Sequence, residues 1–298
     1  MAHETFATTS RGLRRDMPPM VLFEKAKRLG IWNPSDIDFT QDKIDWRRLK
    51  DDERDFLLRL TSNFQAGEEA VTLDLLPLMN AIAKEGHFEE EIFLTTFLWE
   101  EAKHVDFFQR FLSEVAGEVQ LERYFDSNYR HIFYHVLPEA LQALESDPSR
   151  HALAKAATTY NLVVEGMLAE TGYHIYFNIL DGNNILPGQR KGIALLKQDE
   201  SRHIAYGIFL LSRLMAEDGT VWDVIENTMG ELLQPALGLI SEAFEHYEIP
   251  PFGINATDYH NYAMRQFEKR LERIRKCRGL TMDEVYSIHQ DAIEANDA

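Results

Sequence analysis

One pattern of glutamate and histidine residues occurs twice in this sequence, once in each half. Each copy has a single glutamate and, about two helix lengths later, a glutamate and a histidine three positions apart. The two copies are Glu68, Glu101 and His104, and Glu165, Glu200 and His203. Residues three apart lie on one face of a helix, and the longer interval leads from the middle of one long helix to the middle of its antiparallel neighbour. The pattern therefore predicts four packed helices with all six side chains pointing inward.

These residue types are suited to holding two metal ions. A glutamate from each of two helices, with Glu-x-x-His from each of the other two, is the ligand set of di-metal carboxylate bundles. Four carboxylates balance the charge of two divalent cations, and oxygen ligands with one imidazole per metal suit iron and manganese. Without metal, burying each ionised carboxylate would cost several kcal/mol. The sequence thus predicts a di-metal site made of these six residues.

A single Glu-x-x-His is a weak signal, because such a pair usually lies on a solvated helix face. Here both pairs stand among apolar residues, such as Phe97 and Phe108 around the first and Leu196 and Ile208 around the second. Glu69 adjoins Glu68, and periodicity alone allows either of them to be the first ligand. The interval matched between the two halves favours Glu68.

Composition narrows the possible partners and the cellular location. The 298 residues carry a formal net charge of −18, with Asp+Glu 49 against Lys+Arg 31. A surface this acidic repels nucleic acid and anionic lipid headgroups. The one cysteine, Cys277, cannot form an internal disulfide, which fits a reducing cytosol. No run is long enough to span a bilayer, and the first residues lack a signal peptide's apolar core. We therefore expect a cytoplasmic protein without nucleic-acid partners.

Apolar periodicity predicts one all-α domain over residues 1–298, in which four core helices are surrounded by peripheral ones. Residues 1–20 and 280–298 are expected to be loosely ordered, and residues 31–50 to form an irregular lead-in that packs two tryptophans. Gly86 should end one core helix, while Pro77 should kink that helix and Pro235 should interrupt a later one. The predicted helices are 21–30, 51–83, 88–115, 118–126, 128–145, 149–180, 188–216, 220–247 and 256–277.

Four longer motifs indicate a protein family that this chain resembles. They are GEEAV at 67–71, EEAKH at 100–104, TYNLVVEGMLAETGY at 159–173 and DESRH at 199–203. With these motifs the chain resembles the ferritin-like superfamily, the group containing the ribonucleotide reductase small subunit, and within it the R2-like ligand-binding oxidases. The resemblance implies a ferritin-like four-helix-bundle core that binds manganese and iron, or two irons. It assigns Glu68, Glu101 and His104 to one metal and Glu165, Glu200 and His203 to the other.

The resemblance also implies a dioxygen-activating oxidase and a homodimer. Members of the family bind a long-chain fatty acid through its carboxylate, and they form an ether cross-link between a valine and a tyrosine. The matching positions here are Val71, three residues after Glu68, and Tyr160, five before Glu165. Spacing alone would assign both residues to ordinary core packing.

Other functions compete with this interpretation. A ribonucleotide reductase small subunit usually has a radical tyrosine four residues after the first histidine, where this chain has Phe108. Metal storage would require many irons per chain, and nitrogen-oxygenating enzymes of this kind often add a histidine ligand. Tyr173 is a further candidate, as a hydrogen-bond partner of a metal ligand.

Overall fold

Four long helical segments pack side by side and carry the six predicted metal ligands. The computed structural model describes residues 5–295, within which every regular element is helical. The α-helices are α1 (Ala7–Ser10), α2 (Pro18–Leu29), α3 (Thr40–Arg48), α4 (Asp51–Glu85), α5 (Phe88–Phe111), α6 (Ser127–His131), α7 (Leu137–Gln142), α8 (Arg150–Ala157), α9 (Glu170–Asn183), α10 (Pro187–Glu217), α11 (Val221–Glu245), α12 (Ala256–Arg275) and α13 (Met282–Ala295). The predicted all-α ferritin-like bundle is confirmed.

The bundle core consists of α4, α5, α10 and the segment that runs from α8 through α9. As predicted, Gly86 ends α4, in a left-handed conformation with φ of 82°. This turn sends α5 back alongside α4, and the two helices share the most extensive helix–helix contact in the described chain. None of the helices in residues 5–295 combines the length and apolar character needed to cross a bilayer.

A stretch of wide helical turns joins α8 to α9. Residues Thr158–Ala169 form a π-helix, in which backbone hydrogen bonds skip one more residue than in an α-helix, and nearly all its side chains are buried. The sequence predicted an ordinary helix over 149–180, because periodicity does not separate the two geometries over so short a stretch. The wider turns lie where Tyr160 and Glu165 face the centre of the bundle.

The lead-in before α4 is more regular than predicted, because residues 40–48 form α3. Two of its carboxylates are buried and cap the start of α10. Asp42 accepts hydrogen bonds from the backbone N–H groups of Gly188 and Gln189 at 2.8 and 2.7 Å, and Asp45 accepts one from Leu186 at 3.0 Å. Carboxylates satisfy the free N–H groups of a helix N-terminus and its positive dipole end. α3 therefore determines where α10 begins.

The helix predicted over 118–126 is wrong. Gly117, with φ of 86°, ends the preceding helix, and only a single 3₁₀ turn, Leu121–Tyr124, follows. Tyr124 and Phe125 are instead buried in a small aromatic cluster with Tyr129. Burial of these rings determines the path of the chain, and local helix propensity does not.

The interruption expected at Pro235 is also wrong, since α11 continues through it from Val221 to Glu245. A proline removes one backbone hydrogen bond, and the neighbouring Leu232 and Ala236 are buried against the rest of the molecule. Packing on both sides of the proline keeps the helix continuous. α4 likewise continues beyond Pro77.

The C-terminal end differs from the loose order expected for 280–298, because residues 282–295 form α13. Val285 and Ile293 are buried, and His289 hydrogen-bonds to Ser212 on α10 at 3.1 Å. At the other end, where loose order was expected for 1–20, the guanidinium of Arg11 donates two hydrogen bonds to Glu89, at 2.6 and 2.9 Å. Residues 1–4 and 296–298 lie outside the described part.

Candidate metal centre

The six predicted ligands meet in the middle of the bundle, and all six side chains are buried. α4 supplies Glu68, α5 supplies Glu101 and His104, the π-helix supplies Glu165, and α10 supplies Glu200 and His203. Their ligand atoms form two overlapping groups, in each of which all atoms lie within 4.8 Å of one another: Glu68, Glu101, His104 and Glu200, and Glu101, Glu165, Glu200 and His203.

The first group surrounds the ring of His104. Its Nδ1 lies 3.4 Å from a carboxylate oxygen of Glu68, 3.4 Å from one of Glu101 and 3.3 Å from one of Glu200. Glu200 comes from the other half of the sequence, so this group is not built from one sequence repeat alone.

The second group surrounds the ring of His203. Its Nδ1 lies 3.1 Å from Glu101, 3.3 Å from Glu200 and 3.8 Å from Glu165. Glu101 and Glu200 therefore stand between the two imidazoles and offer one oxygen to each side. The sequence-based division gave each of them to one group, whereas the geometry gives both groups access to both carboxylates.

The donor set fits two divalent cations. Oxygen and nitrogen ligands lie about 2.0–2.2 Å from such a metal, so two ligands of one ion lie at most about 4.4 Å apart. The separations around the two Nδ1 atoms are within this limit. Within the described residues, the buried atoms that lack a hydrogen-bond partner include His104 Nδ1, His203 Nδ1 and one oxygen each of Glu101, Glu165 and Glu200. Leaving so many buried polar atoms unpaired is expensive unless an ion binds them.

Two further carboxylates, which sequence reasoning missed, orient the histidines. Nε2 of His203 lies 2.9 Å from Glu100, and Nε2 of His104 lies 3.3 Å from Asp199. A carboxylate on Nε2 keeps that nitrogen protonated and leaves the Nδ1 lone pair for a metal. Each carboxylate immediately precedes a predicted ligand glutamate and contacts the histidine of the opposite half. The signal in the sequence is the acidic residue that stands directly before each Glu-x-x-His.

Cations neutralise these outer carboxylates. The guanidinium of Arg202, which is buried, donates to Glu100 at 2.5 Å and also to Asp199. Asp199 accepts further hydrogen bonds from Lys103 at 3.1 Å and from the Trp32 indole at 2.8 Å. Each buried negative charge around the centre thus has a positive partner or a histidine.

Without metal, protons take the place of cations. Burial raises the pKa of Glu68 and of Glu165 well above the ordinary value, despite nearby histidines. Burial would lower the pKa of His104, but the charge of Glu68 and the other carboxylates around the ring raise it well above its usual range. The pKa of His203 is raised in the same way by Glu200 and its acidic neighbours. Metal binding must displace these protons, so affinity should rise with pH.

The predicted cross-link residues lie beside this centre. Val71 is buried one helical turn after Glu68, and it lines the same cavity as Glu68 and Glu101. The Tyr160 hydroxyl donates a hydrogen bond to Glu101 Oε1 at 3.1 Å. Asn161 Nδ2 donates a hydrogen bond at 2.9 Å to Glu165 Oε2, the oxygen that does not face His203.

Three further residues considered in the sequence, Glu69, Phe108 and Tyr173, lie in different surroundings. Glu69 is exposed, whereas Glu68 is buried among the other ligands. Phe108 is buried and stacks on Phe64, with ring centroids 5.3 Å apart. Tyr173 is buried, but its hydroxyl has no hydrogen-bond partner among residues 5–295, so its predicted bond to a ligand is wrong.

An apolar cavity leads away from the centre. Four of the predicted metal ligands line it: Glu68, Glu101, Glu165 and Glu200. The rest of the lining is mostly apolar and comes from α4, the π-helix, α9, α11 and the segment around α6. On α4 the lining runs from Phe56 to Val71, which corresponds to roughly 22 Å of helix. The cavity is therefore mostly apolar, and it is acidic where it meets the centre.

Comparison with known proteins agrees with this geometry. The family model described as ribonucleotide reductase, small chain, matches residues 20–287. A solved structure of an R2-like ligand-binding oxidase with aerobically reconstituted Mn/Fe cofactor is 38% identical, with a TM-score of 0.88 over 92% of this chain and 98% of that one.

Solved structures of two variants of an R2-like ligand-binding oxidase are equally similar to this chain. A valine-to-isoleucine variant is 38% identical over 91% of this chain and 99% of the other, with a TM-score of 0.88. A tyrosine-to-phenylalanine variant is 39% identical over 91% and 98%, with a TM-score of 0.86. The chain therefore belongs to the ribonucleotide reductase small-chain family of oxidoreductases, and within it to the R2-like ligand-binding oxidases.

Proposed function

We propose that this protein is a dioxygen-dependent oxidase that uses a manganese–iron pair, or alternatively two irons, beside a bound long-chain fatty acid. The single observation that carries the proposal is the pair of overlapping ligand groups around His104 and His203. Glu68, Glu101, His104, Glu165, Glu200 and His203 would hold the two metals. When bound, the metals supply the electrons and oxidising power for the reaction with dioxygen.

The ligand proposal is supported by the cavity that ends at the carboxylates. A fatty acid would bind its carboxylate at the metals, where positive charge is available, and extend its chain along α4. Phe56, Leu60 and Leu168 are among the apolar residues that would cover the chain. Burying a methylene group contributes about 0.8 kcal/mol, so long chains should bind better than short ones.

The protein would also join Val71 to Tyr160 by an ether bond. The new C–O bond replaces a C–H bond of Val71 and the O–H bond of Tyr160, so two electrons and two protons leave and dioxygen accepts them. Glu101 Oε1 already accepts the hydrogen bond of the Tyr160 hydroxyl, at 3.1 Å, and is placed to receive its proton. The burial of both side chains keeps water from the reacting atoms.

Intact-protein mass spectrometry tests the oxidase and the cross-link together. Protein loaded with manganese and iron in air should lose two hydrogens relative to anaerobically loaded protein. Tyr160→Phe should keep both metals and show no mass change, because only the phenol is removed. An unchanged mass in the aerobically loaded native chain would contradict the cross-link, and metal loss in Tyr160→Phe would contradict the role given to Tyr160.

The alternative function is a ribonucleotide reductase small subunit, which the family model favours by its description. Phe108 argues against it, since a phenylalanine at the usual position of the radical tyrosine forms no stable phenoxyl radical. Nucleotide reduction with a large subunit would establish the alternative.

Anomalous scattering at the iron and manganese edges would identify the metals. The homodimer and the cytoplasmic location remain predictions from the sequence.

A further inference from the structure

The cavity that would hold the fatty acid is not apolar along its whole length. Arg59 and Asn63, one helical turn apart on α4, line it between Phe56 and Phe64. The Arg59 side chain is almost completely buried, with 5% of its surface exposed. An arginine and an asparagine among hydrocarbon-binding residues reduce the affinity for an unsubstituted chain unless the ligand offers them hydrogen bonds.

Both side chains have a hydrogen-bonding atom that the protein leaves unused. Among the residues that line the cavity, the metal-site glutamates aside, only Arg59 Nε and Asn63 Oδ1 are buried atoms without a hydrogen-bond partner in the described chain. Such atoms are rare in folded proteins, because each one loses its hydration and gains nothing in return. Two of them, one turn apart in the same cavity, indicate a ligand group between them.

The charge of Arg59 is already neutralised, which limits what that group can be. Arg59 Nη1 donates to Asp126 at 2.7 Å and to the Tyr124 carbonyl at 3.3 Å, so the guanidinium charge has its counterion. The backbone carbonyl of Asn63 accepts a hydrogen bond from Tyr129 at 2.9 Å. The two buried atoms without a partner in the described chain are one N–H donor and one amide oxygen acceptor. A neutral hydroxyl group, which both accepts and donates, matches the pair.

We propose that the ligand of this cavity is a long-chain fatty acid with a hydroxyl group partway along its chain, which accepts from Arg59 Nε–H and donates to Asn63 Oδ1. Asn63 and Arg59 precede Glu68 by about 7 and 14 Å of helix rise. An extended chain advances about 1.2 Å per bond, so the hydroxyl would lie about six to eleven bonds from the carboxylate. This inference rests on the proposed fatty-acid function and specifies its substrate class.

Binding of matched acids to the delipidated, metal-loaded protein tests the proposal. The probes are a saturated sixteen-carbon acid, the same acid with a hydroxyl near its tenth carbon, and the corresponding keto acid. The hydroxy acid should bind about ten-fold more tightly than the unsubstituted acid, as two buried hydrogen bonds allow. The keto acid, which cannot donate to Asn63, should bind less tightly than the hydroxy acid.

Asn63→Leu and Asn63→Ala should reduce the preference for the hydroxy acid to about three-fold or less, because one of the two hydrogen bonds is lost. Both variants should keep the native metal content and melting temperature, since Asn63 Oδ1 has no partner within the described residues. Asn227→Leu is the matched control, because Asn227 is exposed on α11, and it should retain the full preference.

Equal binding of the hydroxylated and unsubstituted acids would overturn this proposal alone. A preference that survives in both Asn63 variants, or a keto acid that binds as tightly as the hydroxy acid, would also overturn it. If none of the acids binds, the proposed fatty-acid ligand itself fails along with this inference.

Discussion

At the scale of single residues, burial separates neighbours that look alike in the sequence. Glu68 and Glu69 are adjacent glutamates on α4, but Glu68 is buried beside His104 and Glu69 is exposed. A helix turns about 100° per residue, so consecutive side chains point in different directions, and on α4 only the first of the two glutamates faces the centre. Glu101 is likewise buried at the centre, unlike the carboxylates on the surface.

Substitution of this pair is the first prediction. Glu68→Gln should weaken metal binding by at least about 10–100-fold, because a ligand carboxylate matters no less than the groups that orient one. Glu69→Gln should leave metal content unchanged, since its side chain is in solvent. Elemental analysis after dialysis measures both. Equal metal content in the two variants would refute the assignment of Glu68.

A second prediction concerns Asp74, whose carboxyl is largely buried on α4. Burial raises its pKa to about 6. A carboxyl with a raised pKa in the folded state destabilises that state where it is ionised, and the cost disappears as pH falls below its unfolded pKa. Asp74→Asn should therefore raise the free energy of unfolding at about pH 8 by on the order of 1 kcal/mol, after allowance for partial solvation.

The same substitution should have almost no effect near pH 4, where aspartic acid is becoming neutral in both states. Urea denaturation at the two pH values measures the difference. Asp106→Asn, at an exposed position of α5, is the control and should show no pH-dependent gain. A gain of the same size at both pH values would contradict the role of ionisation.

At the scale of elements, close contacts between helices are possible only where glycine leaves room. A Cβ built on Gly192 of α10 would overlap the ring of Phe107 on α5, whereas one built on Gly230 of α11 has no described atom within 4 Å. Gly192→Ala should therefore destabilise the protein by about 1–3 kcal/mol through overpacking. Gly230→Ala should stabilise it by about 0.5–1 kcal/mol, because alanine favours a helix.

Thermal or urea unfolding of these two variants is the measurement, and the opposite signs are the prediction. Both changes add one methyl group to a helix, so helix propensity is matched and only the contact with Phe107 differs. Stabilisation by both variants would show that α5 and α10 can separate without cost, and that their contact does not hold the metal centre together.

At the scale of the whole molecule, a net charge of −18 is combined with acidic groups buried at its centre. Metal ions that bind only the folded state should add about 3–4 kcal/mol when present at 100–1,000 times their dissociation constant. Removal of metal by a chelator should therefore lower the melting temperature of the native protein. His203→Ala should show a smaller decrease with chelator, because it has already lost one ligand of the second group. A chelator-independent melting temperature in the native protein would contradict a di-metal centre.

The sequence by itself determined the helical fold class and the six residues at the centre, because helix period and Glu-x-x-His spacing are local properties of the chain. Only the tertiary structure decided how the two halves interact. Glu101 and Glu200 each face both imidazoles, and Glu100 and Asp199 each contact the histidine of the opposite half. Contacts of this kind depend on the distance and rotation between helices, which no spacing within one helix encodes. For the same reason, Arg59 and Asn63 could be recognised as part of a binding cavity only after α4 had packed against its neighbours.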